Sequence, residues 1–112
     1  MDVSFILSTD ELFTLISLMG SQSEAGRVFI EKALTGAQRC DLSILAEKNH
    51  ARIEGDELEL APVMRMLIDA ISNAERAEYN GSFWEIDSGW VSLQCEKYPF
   101  MEEHWKLSPI NQ

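Results

Sequence analysis

The sequence predicts an α+β fold, and three observations carry that prediction. Apolar residues recur at helical spacing through the first two-thirds of the chain. The period drops to two between Ala51 and Leu60, and drops again, for the rest of the chain, after Ala74. Two tight-turn pairs, Asn80-Gly81 and Ser88-Gly89, punctuate the alternating last third. The expected architecture is a winged-helix-like helical half, of three to four helices with a β-ribbon, followed by an antiparallel β-meander.

The elements follow in order. Val3, Phe5 and Leu7 alternate with Ser4 and Ile6, which predicts an opening strand. Ser8 and Glu11 have the spacing of a capping box, in which each side chain satisfies the other residue's free N–H. Leu12, Leu15, Ile16 and Met19 then line a first helix, broadened by Phe13 and Leu18 and stopped at Gly20. Ser21 and Glu24 repeat the capping-box spacing. Ala25, Val28, Phe29 and Ala33 form the stripe of a second helix, which Gly36 ends. Asp41 is the expected N-cap of a third helix bearing Leu42, Leu45 and Ala46 on one face, with Asn49 as its stop.

The ribbon comes next. Ala51 and Ile53, then Leu58 and Leu60, alternate with charged residues around a Glu54-Gly55-Asp56 turn. This alternation predicts Ile53, Leu58 and Leu60 packed on the helices and the acids outside. Pro62 suits a first helical position. Val63, Met66, Leu67, Ala70, Ile71 and Ala74 form the expected buried stripe of a fourth helix. In the meander, Trp84, Ile86, Val91, Leu93 and Cys95 fall on inward positions, Tyr98-Pro99 breaks the strand, and Trp105 and Leu107 belong to a last one.

A chain of 112 residues corresponds to a single domain, 1–112, able to bury a core without disulfide or metal. Nine basic residues against nineteen acidic leave a net charge of −10. Phosphate backbones are therefore poor partners, because non-specific nucleic-acid affinity comes from cationic charge; neither Glu47 and Lys48 nor the acidic ribbon suits DNA. The charge favours a basic or apolar protein partner. No apolar run approaches the ~18 residues of a membrane span, and the start lacks a basic n-region, so no membrane partner or signal peptide is expected and the cytoplasm is the expected compartment. Cys40 and Cys95 have no metal or redox spacing and read as free thiols.

Enzyme signatures are missing: there is no nucleophile elbow, phosphate loop, dinucleotide fingerprint or zinc-protease helix. His50 and His104 stand in isolated contexts, and the ribbon acids lack the spaced oxygen ligands of a calcium loop. No catalytic residue, metal or cofactor is expected. Two surfaces are candidates for partner binding. One is the acidic ribbon tip with Glu54, Asp56 and Glu57. The other is the outer face of the meander, where Phe83 and Trp90 fall out of phase with the inward residues: either they are neighbours on an open face, or the helices cover that face and both rings are core; Trp90 is expected to be at least partly exposed.

The segments FILSTDELFTLISLMG, ELEL leading into APVMRMLIDAI, and SFWEIDSGWVSLQC, taken in that order, resemble the EspG-like proteins and related small proteins of unknown function associated with type VII (ESX) secretion. Known EspG-type members are built on two related halves, and this chain is about the size of one. The resemblance implies a cytosolic chaperone that holds a secreted substrate, and no enzyme activity. The expected function is thus a non-enzymatic protein-binding module, a chaperone or accessory factor of type VII secretion. The alternative is a small acidic immunity or inhibitor protein that neutralises a basic toxin. The expected partner is a protein, either secreted substrate or toxin, with a homodimer as a further option.

Overall fold

A computed structural model describes residues 4–47, 51–54 and 57–110 of the chain. It is an α+β structure. The elements run β1 (Phe5–Ser8), α1 (Thr9–Leu18), α2 (Glu24–Ala33), α3 (Leu42–Glu47), β2 (Ala51–Glu54), β3 (Glu57–Leu60), α4 (Pro62–Ser72), β4 (Arg76–Tyr79), β5 (Trp84–Asp87), β6 (Ser92–Lys97) and β7 (His104–Pro109). Strands β4 to β7 form an antiparallel meander, and β1 adds to β7, giving the order β1-β7-β6-β5-β4. Strands β2 and β3 pair with each other as a separate ribbon between α3 and α4.

Local chemistry explains most of these boundaries. Ser8 ends β1 and caps α1. Its Oγ accepts from the Glu11 N–H at 3.0 Å while Glu11 Oε1 accepts from the Ser8 N–H at 2.9 Å, so strand passes into helix with no loop between. Asp41 accepts from the Ser43 N–H at 3.0 Å at the start of α3, and that bond holds its carboxyl below the usual carboxylate range. The segment before it is laced to α1: Gln38 N–H donates to Asp10 Oδ1, and Cys40 N–H to Thr14 Oγ1. Asn49 and Gly55 lie outside the described residues.

The cap of α2 departs from expectation. Ser23, not Ser21, is the N-cap, its Oγ accepting from the Gly26 N–H at 3.1 Å. The reason is tertiary. Ser23 Oγ also donates to the Ala74 carbonyl at 2.7 Å and its N–H to the Ser72 carbonyl at 2.8 Å, so the end of α4 selects which serine opens α2.

All the buried sheet residues point one way. Leu7, Trp84, Ile86, Leu93, Cys95, Trp105 and Leu107 form the inner face, and the helices supply Leu12, Leu15, Ile16, Phe29, Leu67, Ile68 and Ile71 against it. Phe29 is the centre of an aromatic cluster, edge-on to Trp84 at 5.4 Å and to Trp105 at 6.2 Å between ring centroids. The indole N–H of Trp105 would be costly to bury alone, and it donates to Thr9 Oγ1 at 3.0 Å. The opposite face carries Glu85, Gln94, Glu96 and Lys106, all partly exposed.

Two expected burial patterns are corrected. Of the stripe expected for α4, Leu67, Ala70, Ile71 and Ala74 are buried, but Val63 is exposed and Met66 is 41% exposed, and Met64 and Ile68 are buried in their place. The helix is apolar over so much of its circumference that two overlapping stripes fit helical spacing; the position of the sheet chooses one. In the ribbon, Leu60 is half buried against the core but Ile53 is 49% exposed. Beyond itself, the ribbon packs beside α3, and among the described residues the Leu60 end of its apolar face meets the core while the Ile53 end stays half open. The side chains of Leu58 and Glu57 lie outside the described residues.

Candidate functional site

The predicted partner-binding residues fall in three separate places. Phe83 and Trp90 are not neighbours. Phe83 closes the β4–β5 loop and Trp90 sits in the β5–β6 loop, beyond opposite ends of β5. The alternation rule took both as members of one strand face; both are loop residues, and a strand that reverses at each turn sends successive loops to opposite ends of the sheet.

The Trp90 end is the better-built surface. Ser88 is buried, and its Oγ accepts from the Val91 N–H at 3.1 Å and from the Trp90 N–H at 3.4 Å, while its N–H donates to the Val91 carbonyl at 3.0 Å. Asp87 Oδ1 accepts from the Gly89 N–H at 2.8 Å. Gly89 takes φ +89°, and the Glu75 carboxylate lies 3.2 Å from where a Cβ would stand, so a larger residue there is disfavoured twice over. Every backbone N–H from Ser88 to Val91 is thus bonded, yet the turn holds Trp90 outward, 94% exposed. A groove of ≈ 460 Å³ separates Trp90 from α4, lined on the helix by Met66, Asp69 and Asn73 and on the other side by Glu75 and Val91. Val63 is exposed one turn before Met66. The result is an apolar row, Val63, Met66 and Trp90, with an acidic rim of Asp69 and Glu75. It suits an apolar segment that carries basic residues.

Phe83 lies at the far end, in a groove of ≈ 490 Å³ with Tyr79, Trp84, Trp105, Lys32 and Lys97. Its aromatic rings are largely engaged with one another: Tyr79 packs on Trp84 at 5.7 Å, and the Lys97 ammonium sits 5.4 Å from the Trp105 ring. This groove is the rim of the core more than a free surface. Alternation gave no sign of the exposed Phe100 and Met101, since both stand in the β6–β7 loop. Their position just after Tyr98-Pro99 was the available signal.

At the ribbon, Glu54 is exposed and its carboxylate lies 3.1 Å from Arg52 Nη2, which also meets Glu59 at 2.9 Å. These exposed pairs contribute little to stability, but they offset part of the acidity expected of the tip. Asp56 lies outside the described residues. Glu57 is paired opposite Glu54 in the strand register.

Cys95 is buried, and burial pushes its thiol up, which keeps it neutral. His104 Nδ1 is 2.7 Å from the Glu102 carbonyl; His50 is outside the described residues. Among the described residues no three His, Cys, Asp or Glu side chains gather as a metal site would require, and no helix is long and apolar enough to cross a membrane. Comparison of the chain with family models, with curated proteins and with solved structures found no match.

Proposed function

We propose that this chain is a non-enzymatic protein-binding module that takes its partner on the Trp90 surface. One observation carries the reading: a turn hydrogen-bonded at each N–H from Ser88 to Val91 presents a tryptophan 94% exposed beside the exposed Met66 of α4. Exposing an indole forgoes the burial energy the side chain would otherwise contribute, and tryptophans that do so on a rigid support are frequent anchors of protein interfaces. The acidic rim and the net charge of −10 favour a basic, amphipathic segment as the partner. The resemblance to EspG-like proteins supports a cytosolic chaperone or accessory role in type VII secretion, with the segment belonging to a secreted substrate.

The test is paired. Trp90→Ala should leave the melting curve within about 0.5 kcal/mol of wild type and lose the partner recovered by wild-type bait from native cytosol. A variant that keeps the partner moves the site elsewhere; one destabilised by several kcal/mol shows that Trp90 supports the fold. A second reading, an acidic inhibitor of a basic toxin, is favoured by the net charge and by Asp69 and Glu75 beside the indole. Salt separates the two. Association of an acidic inhibitor falls steeply as ionic strength rises, whereas an apolar chaperone contact is little affected.

A further inference from the structure

We infer that β4 is a self-pairing edge, through which two copies of this chain form a symmetric dimer with one continuous sheet. The inference concerns a different surface from Trp90 and stands independently of it.

Strand β4 is the last in the sheet order, with a neighbour on one side only. The direction of its backbone bonds follows from the turns at either end of β5. Ser88 N–H donates to Val91, so even-numbered residues of β5 bond β6. Asn80 N–H donates to Phe83, so Phe83 and the odd-numbered residues of β5, Glu85 and Asp87, face Asn80, Glu78 and Arg76, and Asp87 also accepts from the Glu75 N–H. The N–H and C=O groups of Ala77 and Tyr79 therefore point away from the sheet, toward an open groove of ≈ 640 Å³ between β4 and the flank of α2. No proline blocks this edge, and nothing else pairs with it among the described residues.

The side chains specify which strand fits. A two-fold axis through Ala77 sets Ala77 against Ala77 of the second copy, and sets Arg76 against Glu78 in both directions. Arg76 and Glu78 share the open face of the sheet and are exposed; within one chain Arg76 lies 3.7 Å from Glu78 and 4.0 Å from Asp87, long contacts that leave room for the second copy's charges. They would occupy the closer-spaced, non-hydrogen-bonded positions of the new pair, where opposite charges attract. The charges that would deter most other strands are complementary to a second copy.

The helix above repeats the pattern. Helix α2 runs alongside β4, with Ser23 tied to Ala74 at one end and Lys32 beside Tyr79 at the other, and Val28 beside Ala77 between them. Glu24, Val28 and Lys32 are four residues apart and so share a face. The same axis brings the two α2 helices side by side and antiparallel, with Glu24 facing Lys32. Neither residue has an ion-pair partner within the chain among the described residues. Strand and helix are thus self-complementary about one axis, which is the requirement of an isologous interface.

Sedimentation of the full chain tests this. Wild type should dimerise. Ala77→Pro removes only an outward N–H, so it should keep its melting temperature and weaken the dimer at least about tenfold. Arg76→Glu alone and Glu78→Arg alone should each be monomeric, because each places like charges across the axis. An equimolar mixture of those two variants should dimerise again, since every pair is then of opposite sign. That restoration depends on register and does not require Ala77→Pro to fold. A monomeric wild type, whether or not the edge takes up another peptide, overturns the inference. So does a dimer unmoved by the charge variants, or a mixture that stays monomeric.

Discussion

The ribbon β2–β3 and the five-stranded sheet carry the same sequence signature and meet opposite fates. Each alternates apolar with charged residues, and each is turned by a tight loop. Yet Ile86 in β5 is 1% exposed and Ile53 in β2 is 49% exposed. The sheet lies beneath α1, α2 and α4, which supply a second apolar layer; the ribbon has α3 beside it and, among the described residues, no core contact at Ile53. Alternation states which side chains share a face. It does not state whether another element comes to cover that face.

Three substitutions sharpen or break this comparison. Ile86→Asp has the largest expected effect. It puts an unpaired carboxylate at a fully covered position, a cost of several kcal/mol, on the order of the whole stability of a small domain. Loss of the cooperative melting transition is the expected result, and a variant that melts like wild type would mean that the inner face is wet.

Gly26→Ala probes the layer that covers the sheet. A Cβ there would stand 2.7 Å from the Ile71 carbonyl oxygen and 3.0 Å from that of Ser72, both backbone atoms with little room to yield. Alanine is worth about 1 kcal/mol over glycine in an open helix, but overpacking of this kind costs about 1–3 kcal/mol. Net destabilisation in denaturant titration is expected; a more stable variant would show that α2 and α4 are free to separate.

Ile53→Asp has the smallest effect. At a position this open the change should lie within about 0.5 kcal/mol of wild type. If it destabilises the protein as Ile86→Asp does, the ribbon face is covered after all and the contrast between the two regions disappears.

Much of the fold was legible because its determinants are local. The Ser8–Glu11 box, the Asp41 cap, Pro62 at the head of α4 and the glycines at 81 and 89, both at positive φ, act within a few residues of themselves. The candidate site was legible only in part. Trp90 stood out by falling off the inward alternation, but its companion in space is Met66, 24 residues away on a stripe that reads as core. Phe83 carried the same signal as Trp90 and is at the other end of the sheet, because phase within a strand says nothing once the residue is in a turn.

The sequence by itself determined the kind of each element, the caps of α1 and α3 and the tight turns, since periodicity, backbone φ and local capping hydrogen bonds are properties of adjacent residues. Only the tertiary structure decided which stripe of α4 is buried, which serine opens α2, that Ile53 stays in solvent and that β4 ends the sheet with Ala77 and Tyr79 facing outward. Each of these depends on a surface contributed by residues far along the chain, and burial free energy is settled by the partner that arrives.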